Sequence, residues 1–419
     1  MFKSITIVIL TMIIERPNEV KGIKEIKKWV LIYGRRKTGK SFIVQNFIHY
    51  DDYFFVKKDR SILSNSNSIS HETFLELLKR DLAAGSTVVV DEFHRLGEDF
   101  FDFLHQTKKS GKLILVSSTL FLSKKLFSSK SALLGFFAEF PIGLISLEDV
   151  LSALRRTGME KKSLLETAIL LREPIAIDYF DEKYSPREAF AKILLGSVKT
   201  IPALVGEIFM EEERTISAVY EGILRAIANG NVISGEISSH LFARGLLKKD
   251  DPSTIQQYLN NLVAFGIIRK LKVYGKDRFV YKHTSPLARL FYYADEKYNI
   301  SERTLTEIEI RRIIDELMPR LIEDNVREFA AARFGLEETI AEAEDHEVDA
   351  CLLRFKKPKI AMEIKWKDRI GQDDIVKAER NLERVPAEEK LLFVPDKEKV
   401  GYPTSLKVVD ISDIISLKR

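Results

Sequence analysis

The sequence predicts an α/β fold: a phosphate-loop parallel-sheet core, then a helical lid, a winged helix and a C-terminal mixed α/β unit. Three observations predict it. Short apolar runs recur at 29–33, 87–90 and 112–116 with helical stretches between them, as buried parallel strands read. From residue 216 the pattern turns to three helices and a basic hairpin, and from about 300 strands and helices mix again. The expected boundaries are 15–150 for the core, 151–215 for the lid, 216–290 for the winged helix and 300–415 for the last unit.

The first run, Trp29-Val30-Leu31-Ile32-Tyr33, ends in Gly34-Arg35-Arg36-Lys37-Thr38-Gly39-Lys40-Ser41. This octet fits G-x-x-x-x-G-K-[ST] at every fixed position. Gly34 and Gly39 let the backbone turn tightly and approach an anion with no β-carbon in the way. The loop amides and the N-terminus of the next helix then face phosphate. Lys40 is placed for the β- and γ-phosphates, and the Ser41 hydroxyl for Mg²⁺. The helix is expected over 41–49, where Phe42, Ile43, Phe47 and Ile48 are apolar.

The second run, Thr87-Val88-Val89-Val90, ends in Asp91-Glu92. Asp91 stands where a phosphate-loop enzyme holds Mg²⁺. Glu92 is suited to orient or deprotonate an attacking water. A third strand, 112–116, ends in Ser117-Ser118-Thr119. A hydroxyl there can reach the γ-phosphate or the water, or can simply close a strand.

Composition narrows the alternatives. The chain has 419 residues, 45% apolar, 31% charged, and a formal net charge of +4. It is neither a polycation nor an acidic tail. One cysteine, Cys351, excludes a disulfide framework and a cysteine zinc site. The seven histidines show no metal-ligand spacing. A reducing, cytoplasmic setting is expected, with no membrane. The apolar stretch 5–14 is too short to span a bilayer. Met12 is a candidate start.

In the lid, a helix is expected over 164–171, stopped before Pro174. In the winged helix, helices are expected near 216–228, 234–242 and from Asp251-Pro252-Ser253 onward. A hairpin follows, with its turn at Gly275-Lys276-Asp277. From 216 to 282 ten Lys and Arg face five acids. That balance suits duplex DNA, with the hairpin gripping phosphate. The third helix offers Gln256, Gln257, Asn260 and Asn261 but no arginine, a poor set for base recognition. Packing or partner docking is the other reading of this unit.

The last unit holds Glu347-Val348-Asp349 and Glu363-Ile364-Lys365. Strand geometry puts Glu363 and Lys365 on one face, with Met362, Ile364 and Trp366 on the other. If the two strands pair, Asp349 comes near Glu363. Two carboxylates could then hold Mg²⁺ while the lysine orients water or steadies negative charge. Glu323, or else Glu328, could complete the set. An amphipathic hairpin with exposed charges is the alternative.

At these residues the chain resembles an archaeal phosphate-loop ATPase family, related to the AAA+ and STAND ATPases, that carries a C-terminal PD-(D/E)XK nuclease-like domain. The segments that carry the resemblance are Glu15-Arg16-Pro17-Asn18-Glu19, the octet, Val90-Asp91-Glu92-Phe93, Leu171-Arg172-Glu173-Pro174 and Ile201-Pro202-Ala203-Leu204-Val205-Gly206-Glu207-Ile208-Phe209. The resemblance implies ATP with Mg²⁺, Ser118 as polar sensor, and a nuclease-like site of Glu323, Asp349, Glu363 and Lys365. Relatives commonly have a Gly-Arg after the sensor strand; here the place reads Leu134-Gly135-Phe136-Phe137. An arginine finger contributes roughly 10³–10⁵ in rate, so hydrolysis should be slow or lean on Arg155, Arg156 or Arg172. The expected function is an ATP-driven switch or motor on DNA. An ATP-regulated nuclease and a non-enzymatic ATP-binding scaffold are the alternatives, and an oligomeric state is left open.

Overall fold

The computed structural model describes residues 12–107, 110–118, 135–211, 217–343 and 346–416. The first sheet holds β1 (Trp29–Tyr33), β2 (Asp52–Val56), β3 (Ile62–Ser64), β4 (Asn67–Ile69), β5 (Thr87–Asp91), β6 (Lys112–Ser117) and β7 (Phe137–Pro141). Their order is β4-β3-β2-β5-β6-β1-β7. The five strands from β2 to β7 pair in parallel, and β3 and β4 extend one edge antiparallel. Alternate residues of β1 enter opposite cores. Trp29 and Leu31 pack on one face, Val30 and Ile32 on the other. A strand buried on both faces has to be apolar throughout, which is why it reads as an unbroken run.

The lid comprises helices Leu147–Leu154, Lys161–Leu171, Pro174–Ile177, Pro186–Gly196 and Thr200–Glu211. Ser185 opens the fourth with a capping box, and Pro186 occupies its first turn. Next come helices Ala218–Asn229, Ser234–Ala243 and Gln256–Ala264, and then the hairpin β8 (Ile268–Tyr274) and β9 (Phe279–His283). Gly230, at φ +109, ends the first of these helices in the left-handed conformation.

Helices Pro286–Tyr298 and Glu307–Phe334 lead to β10 (Glu337–Ala343), β11 (His346–Arg354), β12 (Lys357–Ile364), β13 (Glu389–Phe393) and β14 (Lys407–Val409). Helix Gln372–Glu383 lies between β12 and β13. The second sheet runs β14-β13-β12-β11-β10-β8-β9. Here the structure departs from the expected separation at 290–300. Strand β8 pairs in parallel with β10, so the hairpin is the edge of the C-terminal sheet rather than a free wing.

One apolar core joins the lid, the three-helix segment, helix Glu307–Phe334 and one face of the second sheet. Trp366 belongs to it, and its indole N–H donates to Glu166 of the lid at 2.9 Å. Lys161 bridges Asp396 and Asp410 at 2.9 and 2.8 Å across the same junction. The lid and the second sheet are thus joined by packing, a hydrogen bond and an ion-pair bridge. Among the described residues, no single helix is long and apolar enough to cross a membrane.

Candidate nucleotide site and C-terminal carboxylate cluster

Parallel pairing brings three strand ends level. Tyr33 lies beside Ser117, and Val116 beside Asp91. Gly34, Ser118 and Glu92 therefore leave the sheet together at the C-terminal ends of its strands. Gly34 has φ +153, and a β-carbon there would stand 2.0 Å from the Ile142 carbonyl oxygen, so no other residue fits. Gly39, at φ +88, caps the helix Lys40–Phe47, which starts one residue earlier than the apolar pattern suggests.

The Lys40 side chain is 6% exposed and donates to the carbonyls of Gly34 and Arg35 at 2.8 and 2.9 Å. The loop thus wraps around its own ammonium. Thr38 braces it by donating to the Arg35 carbonyl at 2.8 Å. Arg16, buried, donates to the carbonyls of Thr38, Gly143 and Leu144 and pairs with Glu19, tying the loop to the segment after β7. A glycine-permitted turn, an inward lysine and a helix N-terminus form a donor set suited to a polyphosphate. Ser41, in the first turn of that helix, is half-buried.

Asp91 is 1% exposed and accepts from the Tyr53 hydroxyl at 2.5 Å and from the Glu92 amide at 2.9 Å. Burial and the neighbouring Asp91 push the Tyr53 phenol up, which keeps it a donor. Glu92 has φ +57, a left-handed conformation that non-glycine residues hold at a cost. Its carboxylate accepts from Ser118 Oγ at 3.1 Å and pairs with Arg95 at 3.0 Å. Ser117 contacts His94 at 3.2 Å. Burial, with Arg95, Lys40 and Arg36 close by, holds His94 down to about 3, so the ring is neutral near pH 7. The structure thus brings Lys40, Asp91, Glu92 and Ser118 to the C-terminal end of the sheet. Tyr53 and Arg95 are additions that no motif marks.

The loop is also clamped to the lid. Arg35 pairs with Glu173 at 2.9 Å, and Glu173 accepts a further hydrogen bond from Ser285, the cap of helix Pro286–Tyr298. Arg36 pairs with Glu207 at 3.1 Å. These acids lie in the Leu-Arg-Glu-Pro and Gly-Glu-Ile-Phe strings, for which general chemistry gives no role. Between loop and lid is a pocket of about 580 Å³, open mouth included, lined by Ile175, Tyr179, Ile201 and Val205 among others.

Arg172, one of the arginines that could replace the missing finger, is engaged within the chain. It is 6% exposed, donates to the Ile145 carbonyl and is held by Asn325 and Glu328. Arg155 and Arg156 are exposed in the turn after helix Leu147–Leu154. Thr119 and Leu134 lie outside the described residues, and Phe136, which follows Gly135 where relatives carry the arginine, packs its ring against Trp29 and His105.

The basic excess of the winged-helix segment is largely engaged within the chain. Arg269 pairs with Glu338 at 2.7 Å, Lys282 with Asp324 at 3.6 Å and Arg225 with Asp295 at 2.7 Å. Arg278 pairs with Glu342, and Arg244 with Glu296. Asn261, one of the amides offered for base contact, is buried and donates to the Tyr220 hydroxyl at 2.7 Å. Arg269, Arg278 and Lys282 of the hairpin therefore face acids of the C-terminal unit, which the local charge tally leaves out, while Lys270 and Lys272 stay exposed.

Antiparallel pairing of β11 with β12 places Ala350 opposite Met362, so Asp349 and Glu363 are neighbours as expected. Asp349 accepts from the Ile364 amide at 2.7 Å. Lys365 pairs with Glu363 at 2.6 Å, and Asn381 donates to the other Glu363 oxygen at 3.4 Å. Burial, then Glu323 and Glu363, push Asp349 well up. Burial and Asp324 raise Glu323 to about 7. Glu363, Asp349 and Glu323 raise Lys365 against the opposite effect of burial. The four residues thus sense one another. Glu328 does not belong with them; despite its burial, Arg172 and Arg269 hold it down to about 2. Among the described residues, no three acidic, histidine or cysteine side chains are arranged to hold a metal ion.

Residues 26–151 match the family model described as an AAA domain. That segment is similar to AAA domains. The fold is similar to that of the Walker-type ATPase of Pyrococcus abyssi, with 19% identity and a TM-score of 0.51 over 67% of this chain and 96% of that one. The ORC2 protein of Aeropyrum pernix, in ADPNP–ADP complexes, aligns with 13% identity and a TM-score of 0.36 over 74% and 91%. The ORC1 protein of the same organism, in complex with DNA, aligns with 14% identity and a TM-score of 0.31 over 70% and 95%. Among curated proteins none matches the sequence.

Proposed function

We propose that the chain is an ATP-binding AAA-type switch that hydrolyses ATP slowly and acts on DNA through its C-terminal half. The observation that carries this reading is the convergence of Lys40, Asp91, Glu92 and Ser118 at the C-terminal ends of parallel strands. Loop residues 34–41 would hold the polyphosphate, with Lys40 offsetting the charge of the β- and γ-groups. Ser41 and Asp91 would hold Mg²⁺, which when bound spreads and neutralises phosphate charge. Glu92 would orient the lytic water and take its proton, with Ser118 fixing the carboxylate. The Arg95 pair at 3.0 Å restrains that carboxylate and is a reason to expect slow turnover.

The lid would read the state of the loop. A phosphate competes with Glu173 for Arg35 and with Glu207 for Arg36. Glu173 reaches Ser285, and its neighbour Arg172 reaches Asn325 and Glu328 on helix Glu307–Phe334. Glu323 stands on that same helix. Equilibrium binding of ATP with Mg²⁺ tests the site: Lys40→Ala should weaken it at least about 100-fold, a buried charge contact to phosphate being lost. Unchanged affinity would remove the assignment.

A second reading is favoured by the like-charge crowding of Glu323, Asp349 and Glu363 beside Lys365. These residues would then support Mg²⁺-dependent phosphodiester cleavage. Plasmid cleavage that disappears in Lys365→Ala would support it. No cleavage of any nucleic acid, together with no Mg²⁺-induced stabilisation near pH 8, would remove it.

A further inference from the structure

Phe355 is 93% exposed, more than any other large apolar side chain among the described residues. It stands at the tip of the β11–β12 hairpin. Arg354 lies opposite Lys357, which leaves Phe355 and Lys356 as the two loop residues. Both are left-handed, at φ +50 and +65, the pattern of a type I′ turn usually filled by Asn-Gly. Neither the strained backbone nor the exposed ring is compensated by packing inside the chain.

The surroundings are cationic. Arg354, Lys356 and Lys357 are exposed, and none is ion-paired among the described residues. Lys359 pairs with Glu388, and Glu337 lies opposite Leu353 one step down the ladder. The tip is a single aromatic face set among three cations. Bases supply a flat partner for such a ring, and phosphates on either side match the cations. A lone ring on a β-turn offers too little apolar surface to hold a chain at a bilayer. An acidic peptide would use the cations but not the ring.

We infer that the hairpin tip from Arg354 to Lys357 is a nucleic-acid contact, with Phe355 stacking on or wedging against a base and Arg354, Lys356 and Lys357 gripping the flanking phosphates. The inference rests on the DNA reading above and moves the contact away from β8–β9, where Arg269, Arg278 and Lys282 are engaged internally and Lys270 and Lys272 stay exposed. The same two strands carry Asp349 and Glu363. Phe355 is six positions beyond Asp349, about 20 Å along a strand, or roughly six base-pair steps of duplex. A strand held at the tip would run along the hairpin toward the carboxylates.

The test is fluorescence anisotropy of labelled single-stranded and duplex oligonucleotides with the full chain, over roughly 50 to 200 mM salt. Phe355→Asn should keep or raise the thermal midpoint, because asparagine tolerates a left-handed turn. It should nevertheless weaken binding by about tenfold, while Phe355→Trp preserves it. Reversing Arg354, Lys356 and Lys357 to Glu should abolish most binding and lower the salt slope by about 2 to 3. ATP hydrolysis without DNA should be the same in all variants. If the unaltered protein binds no oligonucleotide, the DNA reading falls and this contact with it. If it binds and the triple variant binds equally well, the tip alone is overturned. If the triple variant loses binding to phosphatidylserine vesicles but keeps oligonucleotides, the tip is a lipid contact and the inference is wrong.

Discussion

Arg35 of the phosphate loop lies 2.9 Å from Glu173, and the same carboxylate accepts from Ser285 at the cap of helix Pro286–Tyr298. One acid thus touches the nucleotide loop and the second half of the molecule at once. Glu173→Gln should free Arg35 to turn toward polyphosphate and tighten ATP binding by about tenfold, the scale of one charge-assisted contact. It should also break communication with the second sheet. Of the two tryptophans, Trp366 touches the lid through Glu166. In a Trp29→Phe background, Trp366 emission should respond to nucleotide, and Glu173→Gln should silence the response. Unchanged affinity and emission would refute the clamp.

The Glu92 carboxylate is shared between Ser118 at 3.1 Å and Arg95 at 3.0 Å. Glu92→Gln should lower hydrolysis by about 10²-fold or more while leaving ATP binding intact. Arg95→Ala should raise the single-turnover rate a few-fold, because the base loses its competing partner. Single-turnover phosphate release measures both. A slower Arg95→Ala would instead place Arg95 among the groups that support the reaction.

The parts of the fold that were legible are those fixed by local rules. The octet sets its own backbone, and an apolar run ending at a glycine turn can hardly be read otherwise. Asp349 and Glu363 were also legible, since two-residue alternation fixes which side chains share a face. What escaped depends on distant pairing. Glu173 and Glu207 look like ordinary lid acids until folding brings them to Arg35 and Arg36. The β8–β10 ladder joins residues such as Lys272 and Thr339, which no local pattern connects. That ladder brings the hairpin cations to Glu338 and Glu342, so the charge tally overstated what the hairpin presents. Phe355 escaped because turn chemistry favours Asn-Gly at its place.

Asp324 is buried, yet Lys282, Arg289, Arg327 and Arg269 hold its carboxyl well below the ordinary range against the effect of burial. It pairs with Arg327 at 2.6 Å and with Arg289. Asp324→Ala would leave buried Arg289 without its carboxylate and Arg327 with Glu338 alone. It should destabilise the chain by about 3–5 kcal/mol, read from the urea midpoint. A loss under about 1 kcal/mol, the scale of an exposed pair, would mean that the network is solvated.

Two sets of groups give opposite pH dependences. Burial lowers His94 to about 3 and His283 to about 4. Each binds a proton more readily when unfolded, so their contribution is complete above about pH 6.5 and is lost as pH falls toward the folded values. Glu323, raised to about 7, binds its proton more tightly when folded. Its contribution is present below about pH 4.3 and is lost as pH rises through 7. Glu323→Gln should therefore raise the thermal midpoint near pH 8, by an amount on the order of 1–3 kcal/mol in stability. Near pH 4 it should change little. An equal effect at both pH values would contradict the assignment.

The most direct measurement is phosphate release from ATP with Mg²⁺, with and without DNA, on the unaltered chain, Lys40→Ala and Glu92→Gln. The expected result is slow release that DNA changes, no release from Lys40→Ala, and release lowered by about 10²-fold or more in Glu92→Gln despite retained ATP binding. Wild-type release from Lys40→Ala would contradict the nucleotide site itself.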